Sequence, residues 1–289
     1  MSSNLAAPTN FPKNSARKPQ FFPITMKIDA NGSSFHCRID GERGAWVVLS
    51  HGLACDLTMW DELAAALCDR YRVLRYDVRG HGGSAAPADD YSLEMLVADA
   101  AGIMDAVGIG KAHFGGLSMG GMITQGMLLD HPDRIVSAVI ADSRHTTTTQ
   151  FTAAWLERAE AVRRHGVEAI VAASVERWSS AGLVDRRPDL IARMERMIRA
   201  TSVNGYRGCA AALARLNYGH RLGEIDRPAL VICGSEDHGA PPENTRQMHQ
   251  MIKGSRFLEI EQAGHIANIE QPAIFNAAVR DFFIAHDAG

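Results

Sequence analysis

Short apolar runs alternate with amphipathic stretches along most of the chain. Residues 45–50 form a continuous apolar run, as expected of a strand that is buried on both faces. Similar runs predict five further strands, at 71–77, about 112–116, 135–141, 228–233 and 256–260. Helical spacing predicts helices at about 60–69, 93–107, 122–129, 242–253 and 272–285. This alternation indicates an α/β fold with a mostly parallel central sheet and helices on both faces.

The beginning of the chain has a different pattern. Segments 26–30 and 34–39 flank Asn31 and Gly32, and this dipeptide between two such segments predicts a tight β-hairpin. Residues 1–25 are rich in Ser, Asn, Pro and Ala and show no periodicity, so they predict a flexible N-terminal arm.

The regular alternation stops after residue 145. No buried strand pattern follows until residue 221, and helices are predicted at 155–165, 167–178, 190–200 and 206–216. We therefore expect a helical cap, 145–221, inserted into an α/β core formed by 26–144 and 222–289. Trp155, Ala159 and Val162 fall on one helical face, which we interpret first as a packing surface.

Composition narrows the class of protein. Hydrophobic residues make up 46% of the 289 residues and charged residues 22%, ordinary values for a globular enzyme. The net charge of −3 with mixed signs indicates neither a nucleic-acid nor a membrane partner. We find no signal peptide and no membrane-spanning run. Five scattered cysteines without C-x-x-C spacing indicate reduced thiols in a cytoplasmic protein, with no metal site.

One motif suggests chemistry. Gly116-Leu117-Ser118-Met119-Gly120 follows a predicted strand and precedes a predicted helix, as a nucleophile elbow does. The tight turn strains the backbone at the serine, and only glycine two residues before and after leaves room for its neighbours. We expect the Ser118 hydroxyl to be exposed there and the Met119 N–H to face a developing oxyanion.

Partners for this serine follow later strands. Asp237 and His265 complete the order Ser, Asp, His that is typical of the elbow hydrolases. A neutral histidine suits the task of general base, and the carboxylate would fix its tautomer. Asp142, after an earlier strand, is the alternative acid. We favour Asp237 because 234–237 forms a tight turn that can direct its carboxylate inward.

Residues 51–55 form a glycine-containing loop after a central strand. We assign the Leu53 N–H as the second oxyanion donor, and expect His51 to fix this loop by hydrogen bonding. Arg144 should lie at the carboxyl edge of the sheet, where it could pair with a substrate carboxylate or form a salt bridge with Glu157 or Glu160. Trp155 and Trp178 of the cap are further candidates to contact substrate.

From about residue 26 to 283 the chain resembles the α/β-hydrolase superfamily, and within it most closely the 3-oxoadipate enol-lactonases. The matching stretches are 116–122, 131–134, 158–169, 176–178 and 264–271. The resemblance implies that Ser118, Asp237 and His265 hydrolyse a small lactone or ester without metal or organic cofactor. Residues 51–54 and 142–145 depart from the enol-lactonase pattern.

Other functions remain open at this point. The same elbow serves carbon–carbon hydrolases, amidases, acyltransferases and perhydrolases, and a hydrolase-like receptor without catalysis is a further alternative. An aspartate nucleophile is excluded because position 118 is serine. The sequence leaves the substrate, its stereochemistry and the oligomeric state open.

Overall fold

The fold is built on an eight-stranded sheet. The computed structural model describes residues 23–287. The strands are β1 Ile24–Ala30, β2 Ser33–Asp40, β3 Trp46–Ser50, β4 Arg72–Tyr76, β5 Ala112–Leu117, β6 Ile135–Ala141, β7 Ala229–Gly234 and β8 Arg256–Ile260. Their order across the sheet is β1-β2-β4-β3-β5-β6-β7-β8. Only β1 with β2 and β2 with β4 pair antiparallel, so the sheet is mostly parallel, as predicted.

Helices connect the parallel strands and cover the sheet. The core helices are α1 Asp61–Leu67, α2 Leu93–Val107, α3 Met119–Asp130, α9 Pro242–Met251, α10 Ala267–Glu270 and α11 Pro272–Ala285. Every residue of β5 and β7 is buried, which explains why their sequences, apart from His113 in β5, are apolar rather than alternating. The α/β-hydrolase fold expected from the sequence is confirmed.

The predicted hairpin is present, but it begins earlier than expected. Asn31 adopts a φ of 43° and Gly32 a φ of 69°, the positive values that this turn requires. Ile24 and Thr25 belong to β1, where they pair with Ile39 and Arg38, so the predicted arm 1–25 is wrong for these two residues. Residues 1–22 of that arm lie outside the described part of the chain.

The segment between β6 and β7 is helical. It contains α4 Thr149–His165, α5 Val171–Trp178, α6 Leu183–Arg186, α7 Pro188–Ala200 and α8 Val203–Leu213. Residues 145–221 are called the cap below. Its two ends meet at its base, where the Tyr218 N–H donates to the His145 carbonyl at 2.8 Å and Thr146 pairs with Asn217.

Several predicted cap boundaries are wrong, and capping side chains account for two of them. Helix α4 begins six residues before the predicted 155 because the Thr148 hydroxyl accepts the Phe151 N–H. Helix α8 begins at Val203 because Ser202 caps it in the same way. The predicted helix 167–178 is divided into a 3₁₀ turn, Val167–Ile170, followed by α5.

Candidate active site

Ser118 lies on the sharp turn between β5 and α3. Its backbone angles, φ 57° and ψ −115°, fall in a region that residues other than glycine rarely adopt. A Cβ atom on Gly116 would overlap the carbonyl of Gly120, and one on Gly120 would overlap the carbonyl of Ser50. The glycines on either side of the serine are therefore required by the close approach of neighbouring backbone.

Three side chains form a continuous hydrogen-bonded chain in this region. His265 Nε2 lies 2.9 Å from Ser118 Oγ, and His265 Nδ1 lies 2.9 Å from both carboxylate oxygens of Asp237. All three follow the carboxyl end of a strand, and His265 and Asp237 are buried. The structure thus brings together the three residues that the sequence suggested for proton transfer from a serine hydroxyl.

The Asp237 carboxylate is held by its own turn. Its Oδ1 accepts the backbone N–H groups of Gly239 and Ala240, each at 2.7 Å. The neighbouring Glu236 points away, as expected, and accepts the Ala181 N–H at 2.7 Å. These bonds orient the Asp237 side chain before any substrate enters.

Asp142, the alternative acid, has a different set of partners. Its Oδ1 accepts the Gly234 N–H at 2.8 Å and its Oδ2 accepts the Ala267 N–H at 3.3 Å, while no hydrogen bond joins it to His265. Burial, together with the nearby Asp237 charge, raises its pKa well above the usual range. Asp142 therefore ties the end of β7 to the loop that carries His265.

Two backbone N–H groups beside Ser118 have no acceptor within the described residues 23–287. They belong to Leu53 and Met119. The neighbouring N–H groups of Gly52, Ala54 and Ser118 all donate hydrogen bonds. Leu53 lines the same cavity as Ser118, and Met119 begins α3. These two N–H groups remain available as hydrogen-bond donors.

Two buried histidines hold the loop that carries Leu53. His51 Nδ1 lies 2.8 Å from the Gly52 carbonyl and its Nε2 accepts the Val78 N–H, so the expected structural role of His51 is confirmed. His81 Nε2 accepts the Ala54 N–H at 3.1 Å. Burial lowers the pKa of His81 to about 3, which keeps the imidazole neutral and able to accept. Sequence reasoning missed His81, which lies in a glycine-rich turn.

The Ser118 hydroxyl opens into a cavity between the core and the cap. The cavity, with the solvent space at its mouth included, encloses about 490 Å³. Trp155 and Trp178, both predicted, line it, and the indole ring of Trp178 lies 6.4 Å from the His265 ring. The buried Trp155 Nε1 has no hydrogen-bond partner in the described chain. Ala159 and Val162 pack in the core as predicted, whereas Trp155 also faces the cavity.

Arg144 also lines this cavity, and the alternative of a salt bridge with Glu157 or Glu160 is not found among the described residues. Neither Glu157 nor Glu160 comes within 4.0 Å of it, because Glu160 instead pairs with Arg163 and Arg164. The guanidinium stacks on the Phe151 ring, 4.1 Å from its centroid. Sequence reasoning did not single out several other polar residues of the cavity wall, among them Arg158, Arg177 and Tyr206. Their helical positions gave no signal that they would face a cavity.

The described residues offer neither a metal site nor a membrane-spanning helix. Between residues 23 and 287, no three His, Cys, Asp or Glu side chains lie close enough together to hold a metal ion. No helix in that range is long and apolar enough to cross a membrane.

Comparison with known proteins identifies the class. The family model described as alpha/beta hydrolase fold matches residues 45–272. The chain belongs to the α/β-hydrolase family, as the sheet order, the elbow and the chain order of Ser118, Asp237 and His265 also indicate.

Within this class the chain is similar to proteins named as enol-lactonases. It is 34% identical to 3-oxoadipate enol-lactonase 1 of Acinetobacter baylyi, over 86% of this chain and 93% of that protein. It is 32% identical to 3-oxoadipate enol-lactonase 2 of the same organism, over 81% of this chain and 86% of that protein. The crystal structure of the enol-lactonase from Burkholderia xenovorans superposes with a TM-score of 0.87 at 37% identity, covering 90% of this chain and all of that one.

Proposed function

We propose that this protein is a serine hydrolase that cleaves a small lactone or carboxylic ester through an acyl-enzyme. The observation that carries the proposal is the hydrogen-bonded chain from Ser118 Oγ through His265 to Asp237, next to two unpaired N–H groups. The similarity to enol-lactonases supports the same reaction type.

In the first half of the proposed reaction, Ser118 Oγ attacks the substrate carbonyl carbon and His265 Nε2 takes the hydroxyl proton. The carbonyl oxygen becomes an oxyanion that the Leu53 and Met119 N–H groups stabilise. Collapse of this intermediate breaks the carbon–oxygen bond, and His265 gives its proton to the leaving oxygen. In a lactone the leaving oxygen remains part of the acyl group.

In the second half, a water molecule takes the place of the serine as nucleophile. His265 Nε2 removes a proton from this water, the oxyanion forms again between the same two amides, and the acid product leaves as Ser118 recovers its proton. Asp237 orients the imidazole in both halves and stabilises its charged form. No metal or organic cofactor takes part in this scheme.

We also propose that the substrate carries a carboxylate. Arg144 faces the cavity without a carboxylate partner among residues 23–287, and Trp155 and Trp178 supply apolar walls beside it. The cap, residues 145–221, would act as a domain that covers the core and limits the entry of water. The free thiols of the five cysteines support a cytoplasmic location as part of this proposal.

The test compares two serines of the same cavity. Ser118→Ala should abolish turnover of 4-nitrophenyl esters and small lactones, and should prevent covalent labelling by a fluorophosphonate, which phosphonylates activated serines. Ser143→Ala is the matched control, because Ser143 lines the cavity but its hydroxyl donates to the Ser118 carbonyl and does not contact His265. Mass spectrometry should detect the label on this control. Unchanged turnover by folded Ser118→Ala protein would refute the proposed nucleophile.

A further inference from the structure

Three guanidinium groups line the cavity above Ser118. Arg144 comes from the loop after β6, Arg158 from α4 and Arg177 from α5. No carboxylate lies within 4.0 Å of any of them in the part of the chain that the structure describes. Glu157, which directly precedes Arg158 on α4, is exposed and forms no salt bridge with it among the described residues, and Glu160 is already engaged by Arg163 and Arg164.

The protein orients these groups mainly by weak or nonpolar contacts. Arg144 donates to the Gly239 carbonyl at 3.5 Å and to Asn244 Oδ1 at 3.4 Å. Arg177 donates to the Ala173 carbonyl at 3.1 Å and to Ser174 Oγ at 3.2 Å. Since each guanidinium has five N–H donors, most of their hydrogen-bonding capacity remains unused.

Aromatic rings set the spacing of two of the charges. Arg144 stacks over Phe151 at 4.1 Å, and Arg158 stacks over Trp155 at 4.4 Å. The two rings meet edge to face with centroids 5.7 Å apart. Each of the two arginines therefore has its own aromatic platform.

The three charges share the wall of one cavity with the side chain of Tyr206. Burial lowers the pKa of Arg144 and of Arg177, and the charge of Arg158 lowers both further, while the charge of Asp237 acts in the opposite direction on both. Burial raises the pKa of Tyr206, and the charges of Arg158 and Arg177 act against this effect. Arginine keeps its charge even so, and a partly buried group of like charges is costly unless anions neutralise it.

We infer that the substrate carries two carboxylates besides the carbonyl that Ser118 attacks, one bound at Arg144 and the other between Arg158 and Arg177. The inference rests on the proposed function and narrows its substrate class to lactones or esters of tricarboxylic acids. A single carboxylate would leave at least one of the three guanidiniums without a counter-charge. Because Arg144 and Arg158 stack on different rings, two separate carboxylates match them better than one compact dianion such as phosphate. Hydrolysis leaves both recognition carboxylates unchanged and adds one to the product.

The experiment measures kcat/KM for three 4-nitrophenyl esters with zero, one and two free carboxylates: those of butyric, glutaric and tricarballylic acid. Each added carboxylate should raise kcat/KM at least about tenfold, as expected of a charge-assisted hydrogen-bonded pair. Arg144→Gln and Arg158→Gln should each remove the advantage of one carboxylate, and the double variant should treat the three esters alike. Arg163→Gln, exposed on the same helix as Arg158, is the control that should keep the wild-type ratios.

A binding measurement separates failure of this inference from failure of the proposed function. Calorimetry on the Ser118→Ala protein should give tighter binding for glutarate or adipate than for butyrate, and weaker binding for inorganic phosphate. If the neutral ester is hydrolysed but the second carboxylate brings no gain, the two-carboxylate inference is wrong while the proposed function stands. If no ester is hydrolysed but the dicarboxylates bind as expected, the proposed hydrolase function is wrong while the cavity still binds two carboxylates. Preferential binding of phosphate would also overturn the inference.

Discussion

The backbone N–H of His265 donates a hydrogen bond to the carbonyl oxygen of Trp178, with 2.9 Å between the two atoms. The histidine that contacts Ser118 is thus bonded directly to the last residue of cap helix α5. Glu270 strengthens the same junction. Its Oε1 accepts the N–H groups of Ser180 at 3.3 Å and Gly264 at 3.2 Å, and its Oε2 accepts the Ser180 hydroxyl at 2.6 Å.

Removal of the Glu270 carboxylate should therefore weaken the junction. Glu270→Ala leaves buried N–H groups without an acceptor, and we expect the free energy of unfolding to fall by about 3 kcal/mol. Turnover should fall as well, because the His265 loop loses a restraint. Urea unfolding and ester hydrolysis measure the two effects. Glu261→Ala, on the exposed surface nearby, should change stability by no more than about 0.5 kcal/mol. Equal stability of the two variants would contradict the assignment.

The hydrogen bonds of Glu270 stabilise the folded protein, whereas its negative charge, when buried, destabilises it. Burial raises its pKa above the ordinary 4.5, so the folded protein binds this proton more tightly than the unfolded chain does. Its contribution to stability is therefore greatest below that ordinary value and declines as pH rises through the raised pKa. Glu270→Gln can still accept the two N–H groups but has no proton to lose. Urea unfolding at pH 5 and pH 8 should show that the free energy of unfolding of the Gln variant rises relative to that of the wild type at the higher pH. The same difference between the two proteins at both pH values would contradict this prediction.

The elbow should be intolerant of a single methyl group. Gly120→Ala places a Cβ atom against the Ser50 carbonyl, so the backbone that presents Ser118 and the Met119 N–H must shift. We expect a loss of about 3 kcal/mol in unfolding free energy and a large fall in kcat. Gly110→Ala is the matched control, since no atom lies within 4 Å of the added Cβ there. Similar activity of the two variants would show that the elbow is not sterically limited.

Sequence could predict the features whose signal is local. The Asn31-Gly32 turn and the glycines around Ser118 each report a backbone conformation that few other residues adopt. The start of α4 was missed because residues 149–154 bury no continuous stripe, although Thr148 supplies a cap. Helical periodicity alone cannot detect a helix turn that packs on one side only weakly.

The wall of the cavity could not be predicted in the same way. Whether Arg158 or Arg177 faces a cavity or the solvent depends on how the cap packs on the core. The residues adjacent to them in sequence do not indicate this packing. Arg163 and Arg164, on the same helix as Arg158, are exposed and paired. The choice between Asp142 and Asp237 likewise depends on side-chain direction, because both follow a strand at the same edge of the sheet.

That choice can be tested with a matched pair of substitutions. Asp237 contacts His265 Nδ1 through both oxygens, so Asp237→Asn presents an amide that favours the wrong imidazole tautomer. We expect kcat to fall on the order of 10⁴, as the corresponding change does in serine proteases. Asp142→Asn does not touch the imidazole. Since burial already favours the protonated form of Asp142, an amide there should cost no more than about tenfold in kcat.

Both variants need to be shown folded by circular dichroism and thermal unfolding before their kinetics are compared. Asp142→Asn serves as the control for a neutralised buried carboxylate at the same sheet edge, because its two backbone N–H partners belong to the strand end and the His265 loop rather than to the imidazole. If Asp142→Asn loses activity while Asp237→Asn retains it, Asp237 is not the acid that orients His265. The hydrogen bonds at 2.9 Å would then be structural, and the proton transfer would depend on Asp142 acting through the loop.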